Sequence, residues 1–144
     1  MQNRFWDSDG KYSGASLKGY KFWSLEVSFS QHNLGTVIIF SKENVERISQ
    51  VSKESLLELS LVMREAEEAL DKAFKPDRFN YLQLGNALHN LHFHVIPRYS
   101  SKREFAGIVW EDKTFGHPPV WSYKEENKDL IVKIKEKILQ GSRS

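Results

Sequence analysis

The chain has 144 residues, of which 40% are apolar, 28% charged and 12% aromatic, and it has no cysteine. The lack of cysteine excludes a disulfide scaffold, a thiolate metal site and a cysteine nucleophile. The formal net charge of +2, from 21 basic and 19 acidic residues, is too balanced to indicate a nucleic-acid partner. We expect a single domain, residues 1–144, because a second one would be too small to close its own core.

No segment has the pattern of a membrane span or of a leader peptide. The longest uninterrupted run of large apolar residues is Val37-Ile38-Ile39-Phe40, whereas a spanning helix needs about 20 such residues. The first residues, from Met1 to Asp7, contain no apolar stretch that fits a signal peptide. We therefore expect no membrane partner and a cytoplasmic location.

Two strands joined by a turn are predicted between Tyr20 and Phe40. Before them, turn signals predict an irregular lead-in over residues 1–16, whose aromatic residues we expect to pack on the body: Phe5, Trp6 and Tyr12. From Tyr20 to Phe29 apolar residues alternate with polar ones, and this period of two predicts a half-buried strand. Residues 31–35 predict a turn, and Thr36–Phe40 predicts the second strand of a hairpin.

An amphipathic helix is predicted after Ser52. This serine can cap the helix, with Glu54 in its first turn, although Ser55 and Glu58 form a competing capping box three residues later. The apolar residues of the helix recur at alternating spacings of three and four: Leu56, Leu59, Met63, Ala66, Leu70 and Ala73. Pro76 ends the helix, and we expect its apolar stripe to cover a sheet.

Two more strands, Phe79–Leu84 and Leu91–Ile96, are predicted on either side of Gly85-Asn86. Pro97 lacks the N–H group of a strand ladder and is expected to end the second of them. The order strand, strand, helix, strand, strand predicts an α+β fold, with an antiparallel sheet and helices segregated from it.

The last third of the chain gives weaker signals. Phe105–Trp110 is a candidate fifth strand, and residues 114–120 predict a loop that contains glycine and two prolines. A C-terminal helix over residues 124–140 is marked by four apolar residues at helical spacing: Leu130, Ile131, Ile134 and Ile138. Its mixed charges are typical of a solvated helical face rather than of a nucleic-acid patch.

Three of the five histidines lie between positions 89 and 94. Side chains alternate between the two faces of a strand, so Asn90, His92 and His94 are predicted to share one face. The apolar residues between them then point to the core, and His89 lies on the opposite face from His92. The segment 85–87 could bring backbone N–H groups near the polar face.

On the residues alone, this cluster fits three kinds of site. His92 and His94 could share a metal ion if His32, His117 or a carboxylate supplied a third ligand. A neutral imidazole is also a good nucleophile near pH 7, and a second one can stabilise the oxyanions of a phosphate or protonate a leaving group. The third possibility is two histidines on an exposed sheet face.

The residues around the cluster resemble the histidine-triad (HIT) family, whose motif is His-φ-His-φ-His-φ-φ with φ apolar, often followed by Pro-Arg. The matching run is His92-Phe93-His94-Val95-Ile96-Pro97-Arg98-Tyr99. Before it, the run from Asn80 to Asn86 is similar to the Asn, short gap and Leu-Gly-Asn of the family's small nucleotide hydrolases. The resemblance covers roughly residues 20–100; after them, only Trp110, Phe115 and Gly116 resemble positions seen in relatives.

The sequence departs from the family motif at its first histidine. Asn90 stands at that position, and His89 comes one place too early unless a bulge realigns it. An amide can hydrogen-bond but cannot carry a positive charge. This difference predicts slower turnover, a shifted pH optimum, or nucleotide binding without efficient hydrolysis. A histidine that several relatives keep on the strand near Thr36 is also absent.

The resemblance implies a strongly curved antiparallel sheet of about five strands with two helices, commonly in a homodimer. It implies a nucleotide hydrolase or transferase that acts at the α-phosphate of a dinucleoside polyphosphate, a nucleoside phosphoramidate or a related ester. His92 would be the nucleophile, His94 would contact the phosphates, and Asn90 would take the ordering role of the first position. We expect no protein-held metal, although Mg²⁺ can arrive with a polyphosphate.

The resemblance also implies substrate-binding residues, which we expect to be Asn86, Gln83, Gly85, Asn80 and Ser28. Glu26, one pleat from Ser28, is a rival for the contact to the ribose. Trp23 or Phe22 could line a base pocket, but an aromatic residue in a strand is more often in the core. Arg98 could meet phosphate or pair with a helix carboxylate, and His117 fits an exposed loop better than the site.

Overall fold

The computed structural model describes residues 14–143, with side chains up to Gln140. The strands are β1 (Ser16–Gly19), β2 (Trp23–Val27), β3 (Val37–Ser41), β4 (Arg78–Leu82), β5 (His92–Arg98), β6 (Arg103–Phe105) and β7 (Ile108–Trp110). The helices are α1 (Lys53–Phe74) and α2 (Lys128–Arg143), with a 3₁₀ turn at Ile48–Gln50. Most of the predicted lead-in, with Phe5, Trp6 and Tyr12, lies outside the described residues.

The predicted α+β fold is confirmed. Five antiparallel strands form one sheet in the order β1-β2-β3-β5-β4, and β6 and β7 form a separate hairpin. The fifth strand of the sheet is therefore β1, and the prediction of a single strand over Phe105–Trp110 is wrong. Ala106 and Gly107 both have positive φ (55° and 74°) and turn the chain within that segment.

One face of the sheet packs against the helices and forms the core. Trp23, Ile39 and Val95 are fully buried there, and the Trp23 indole N–H donates to the Ser55 carbonyl of α1 at 2.8 Å. The buried face of α1 begins at Ser55 and not at Leu56, which was predicted on the buried stripe and is 52% exposed. The predicted cap is confirmed, because the Ser52 hydroxyl accepts from the Ser55 N–H at 3.1 Å.

The other face of the sheet carries the polar residues of β2 and β5. Strand register aligns Glu26 with Ile38 and Ile38 with His94, while Ser24 aligns with Phe40 and Phe40 with His92. The prediction of a half-buried β2 is wrong, because both of its faces are buried. Segments from two later parts of the chain, residues 84–88 and 121–125, contribute to the cavity over this face.

Strand β5 continues through Pro97, contrary to the prediction that this proline ends it. Its last pair with β3 is Val37 with Val95, so Pro97 lies beyond the end of that neighbour. The Pro97 carbonyl accepts from the Asn33 side chain at 2.9 Å, whereas the Arg98 carbonyl accepts from the Asp77 N–H on the β4 side at 2.8 Å. The missing N–H therefore faces the side where no strand remains to be paired.

Helix α2 closes the far side of the core. The Asn127 side chain accepts from the Leu130 N–H at 2.9 Å at the start of the helix. The four apolar residues that predicted the helix are all buried: Leu130, Ile131, Ile134 and Ile138. Neither helix in the described part of the chain is long and apolar enough to cross a membrane.

Candidate active site

A cavity of about 420 Å³ lies over the polar face of the sheet. Its wall includes His92 and His94 of β5, Ile38 and Phe40 of β3, and His32 of the β2–β3 loop. The predicted alternation along β5 is therefore correct, because both imidazoles share one face while Phe93 and Val95 belong to the core cluster.

The His92 ring is held in one orientation by the backbone. Its Nδ1 lies 2.7 Å from the Asn90 carbonyl oxygen, which can only accept a hydrogen bond. Nδ1 therefore carries the proton in the neutral ring, and the lone pair is on Nε2. The ring also stacks on Phe40, with centroids 5.3 Å apart. Burial lowers the pKa of His92, although the bond to Asn90 opposes this, so the ring is neutral at pH 7.

His94 lies one pleat farther along β5. Its ring centroid is 5.0 Å from that of His92, with the two planes at 73°. Its Nδ1 is buried and has no hydrogen-bond partner among the described residues. Burial, with a smaller effect of the neighbouring His92 and His32, lowers the pKa of His94 to about 3. This ring therefore offers neutral, unsatisfied hydrogen-bonding capacity next to the Nε2 lone pair of His92.

Asn90 contributes to this arrangement in two ways. Its carbonyl orients His92, and its side-chain N–H₂ donates to the Ser41 carbonyl of β3 at 3.0 Å. The side chain itself is buried, whereas that of His89 is exposed and does not line the cavity. The group that orders the His92 ring is thus a main-chain carbonyl.

The residues expected to bind substrate fall into two groups. Gly85, Asn86 and Ser28 line the cavity with the imidazoles, and so does Glu26, the rival of Ser28. The structure does not bring Gln83 or Asn80 there: Gln83 is exposed and outside the wall, and Asn80 lines a separate cavity with Arg98. Trp23 and Phe22 do not line the cavity either, and Trp23 is a core residue.

Arg98 is buried in a network of its own, away from the imidazoles. Its Nε and Nη2 donate to the two oxygens of the Asp112 carboxylate at 2.7 and 3.1 Å. The remaining N–H groups donate to the Asn80 side chain and to the carbonyls of Thr114 and His117. All five donors of the guanidinium are thereby occupied. The carboxylate partner comes from the segment after β7 and not from a helix, and the exposed His117 contributes its main chain.

Sequence reasoning missed Trp121, which lies on the cavity wall. Its ring stacks on His32 at a centroid distance of 3.8 Å and meets His94 edge-on at 4.8 Å. Trp121 follows two prolines in an irregular segment, so no helical or strand periodicity in the sequence indicates which way its side chain points. His32 was identified only as a potential third metal ligand, yet no three His, Asp or Glu side chains form a metal-binding group within residues 14–143.

The comparisons with known proteins agree with this fold. The family model of the HIT domain matches residues 28–101. A comparison with curated protein sequences found no match. Among solved structures, the chain is similar to a hypothetical histidine triad nucleotide-binding protein of Sulfolobus tokodaii strain 7, with 17% identity and a TM-score of 0.70. That alignment covers 90% of this chain and 83% of the other.

Two bacterial structures show the same fold. A histidine triad protein of Sinorhizobium meliloti 1021 has 16% identity and a TM-score of 0.66, covering 88% of this chain and 87% of its own. One from Marinobacter aquaeolei VT8 has 23% identity and a TM-score of 0.58, covering 87% of this chain and 88% of its own. The family match spans more than half of the sequence and includes both imidazoles of β5. The chain belongs to the HIT domain family.

Proposed function

We propose that this protein is a nucleotide hydrolase or nucleotidyltransferase that cleaves its substrate at the α-phosphate through a nucleotidyl-His92 intermediate. The substrates we expect are dinucleoside polyphosphates or nucleoside phosphoramidates. The observation that carries the proposal is the orientation of His92, whose Nδ1 is hydrogen-bonded to the Asn90 carbonyl at 2.7 Å. This bond leaves the Nε2 lone pair available for attack, as nucleophilic catalysis by imidazole requires.

The reaction has two displacements at phosphorus. In the first, the Nε2 lone pair of His92 forms a P–N bond while the bond from phosphorus to the leaving oxygen or nitrogen breaks, and the leaving group takes that electron pair. In the second, water or another acceptor attacks the phosphorus, loses its proton to solvent and displaces His92 as a neutral ring. His94 and Asn86 donate hydrogen bonds to the phosphoryl oxygens, where negative charge increases.

The proposal also covers the metal ion that accompanies the substrate, the contact to the nucleoside and the oligomeric state. Mg²⁺ would enter with a polyphosphate, since the described residues contain no group of three protein ligands. Ser28 or Glu26, both on the cavity wall, would contact the nucleoside. We also propose a cytoplasmic homodimer, whose mass can be checked by sedimentation equilibrium.

The first test follows products. Purified protein is incubated with diadenosine polyphosphates, adenosine phosphoramidate and ATP in the presence of Mg²⁺ in H₂¹⁸O. We expect AMP with one ¹⁸O atom, since water attacks the phosphorus of nucleotidyl-His92 and displaces the ring. A rapid quench into alkali should retain nucleotide on the protein, and a quench into acid should release it, because a P–N bond to imidazole is labile in acid. If the ¹⁸O appeared in the product other than AMP, water would have attacked a different phosphorus, and this result would contradict the proposal.

A second function is favoured by Asn90 at the first triad position: a nucleotide-binding or regulatory protein with weak or no catalysis. An amide there cannot supply the positive charge that a histidine could. Stoichiometric binding of AMP without any product above background would support this second function. An Asn90→His variant that gained turnover would then identify the missing charge as the reason.

We expect catalysis to persist at acid pH. The nucleophile must be neutral, and burial lowers the pKa of His92 below the ordinary value of about 6.5. Protonation, which removes the lone pair, then occurs only at a lower pH. The acid limb of the kcat/KM profile should therefore have its midpoint below pH 6.5. A dinucleoside polyphosphate is a suitable substrate, because it has no terminal phosphate that titrates in this range. A midpoint at or above 6.5 would contradict the expected neutral, buried ring.

A further inference from the structure

His32 is fixed in the cavity by its own loop. The Gln31 side chain donates to the carbonyls of Ser28 and Thr36 at 2.7 and 2.9 Å and accepts from the Gly35 N–H at 2.8 Å. These bonds, all inside the β2–β3 loop, hold the backbone on either side of the ring. The His32 ring centroid then lies 6.0 Å from that of His94. A third imidazole thus stands next to the pair on β5 without belonging to that strand.

The hydrogen bond at one ring nitrogen of His32 determines what the other can do. The Ser122 backbone N–H donates to Nδ1 at 2.9 Å, so Nδ1 is an acceptor and the proton of the neutral ring is on Nε2. Burial lowers the pKa of His32 to about 4, which keeps the ring neutral at pH 7. The Nε2–H is buried and has no acceptor among the described residues. An unsatisfied buried donor costs free energy that an acceptor on a bound ligand can recover.

The segment that supplies Ser122 also restrains the ring from its face. Trp121 stacks on His32 with centroids 3.8 Å apart and planes at 26°. The same segment is tied to the sheet where the Glu126 N–H donates to the Phe29 carbonyl at 2.8 Å. The ring is therefore held between its own loop and the segment that precedes α2, with Nδ1 turned toward that segment.

We propose that His32 is a third phosphate-contacting residue of this site, donating its Nε2–H to a phosphoryl oxygen of the bound nucleotide beside His94. Trp121 is a positioning residue that holds the ring for this contact. The inference rests on the proposed function, because it names one more contact of the same substrate. The site then uses three imidazoles although Asn90 occupies the first triad position, and the third comes from a different part of the chain.

Two substitutions at His32 test the roles of its two ring nitrogens separately. In His32→Asn, the amide oxygen takes the position of Nδ1 and still accepts from Ser122, but nothing replaces the Nε2 donor. In His32→Gln, the amide nitrogen takes the position of Nε2 and restores a donor. We expect His32→Asn to weaken binding of a nucleoside monophosphate about 10- to 100-fold, the range for a hydrogen bond to a charged group. His32→Gln should recover part of that loss.

Binding is measured by calorimetry with AMP, GMP, CMP and UMP, and competition gives the affinity of the corresponding nucleosides. The loss in His32→Asn should be confined to the monophosphates. Histidine ¹⁵N resonances provide a second readout: the His32 pKa should rise when a monophosphate binds and stay unchanged with a nucleoside. Wild-type affinity for monophosphates in His32→Asn would overturn the proposal. An equal loss for nucleosides and monophosphates would also overturn it, because His32 would then only shape the cavity.

Trp121 is tested by its conservative variant. Trp121→Ala should weaken monophosphate binding, and Trp121→Phe should restore it, since a phenyl ring can still stack on His32. Failure of rescue by phenylalanine would contradict the positioning role. The outcomes also separate the two proposals. Wild-type protein that binds monophosphates without forming products refutes only the nucleotidyl transfer, whereas wild-type protein that forms AMP, with His32→Asn binding AMP as tightly as the wild type, refutes only the His32 contact.

Discussion

Replacing His92 by alanine is expected to lower kcat/KM by about 10⁴-fold or more, the loss seen when a catalytic nucleophile is removed. The reason is that the Asn90 carbonyl fixes the His92 Nδ1 proton and leaves the Nε2 lone pair available for attack. The neighbouring His94 has no such orienting bond at its Nδ1. The loss is measured on the substrate that the product assay ranks first.

The matched control for His92 is His89→Ala. His89 lies in the same histidine-rich run, but its side chain is exposed and outside the cavity, so we expect this variant to keep wild-type kcat/KM. The fold of His92→Ala is checked by circular dichroism and by thermal unfolding, since the variant also loses the stacking on Phe40. A folded His92→Ala protein with activity within tenfold of wild type would show that His92 is not the nucleophile.

Replacing Arg98 by methionine is expected to lower the free energy of unfolding by about 3–5 kcal/mol. The substitution removes all five donors of the guanidinium and leaves the Asp112 carboxylate, whose side chain is only 2% exposed, without its cation. An uncompensated buried charge and several unsatisfied carbonyls are among the most destabilising defects in a protein interior. Urea unfolding at pH 7 gives the difference directly.

Asp112 determines how this loss changes with pH. Burial alone would raise its pKa, but hydrogen bonds from Arg98 and from the Tyr99 N–H hold the pKa of Asp112 below its ordinary value. In the wild type, the stability that comes from this low pKa is present above the unfolded value of about 3.9 and is lost as the pH falls through the folded value. In Arg98→Met, Asp112 can accept a proton at higher pH. The difference in stability between the two proteins should therefore narrow as the pH falls toward 4.

Arg103→Met is the matched control for Arg98→Met. Arg103 also donates to backbone carbonyls, those of Phe74 and Lys75, but its Nη1 and Nη2 contacts are exposed and it has no buried carboxylate partner in the described residues. We expect a loss of about 1 kcal/mol or less for this variant. Equal losses at Arg98 and Arg103 would contradict the role assigned to the buried Asp112 pair.

The hydrogen bonds of Arg98 also restrain the position of β5, the strand that carries the imidazoles. Arg98 ends the strand that carries His92 and His94, and it connects that strand to β4 through Asn80 and to the segment after β7 through Asp112. That segment continues to Trp121, which packs on His32 and His94. Resemblance to the family identified Arg98 as part of a motif, but whether it meets phosphate or protein depended on which acceptors the rest of the chain brought to it.

Local patterns in the sequence predict both helices, the strands β2 to β5 and the face of β5 that carries the two imidazoles. Local periodicity is enough for this: a period of two along β5 separates His92 and His94 from Phe93 and Val95, and a period of 3.6 marks α1 between Ser52 and Pro76. The motif around His92 indicated the family because its spacing is short and continuous. These properties depend only on neighbours in the chain, so they can be predicted without knowing how distant segments pack.

Features that join distant segments depend on how those segments pack in three dimensions. Register across three strands placed Glu26 in the same cavity as His94, and both faces of β2 became buried because later segments contribute to the cavity over its polar residues. The pairing of His32 with Trp121 and Ser122 brings together residues about 90 positions apart. Hydrogen bonds and stacking of this kind depend on distance in space and not on spacing along the chain, and no sequence period records them.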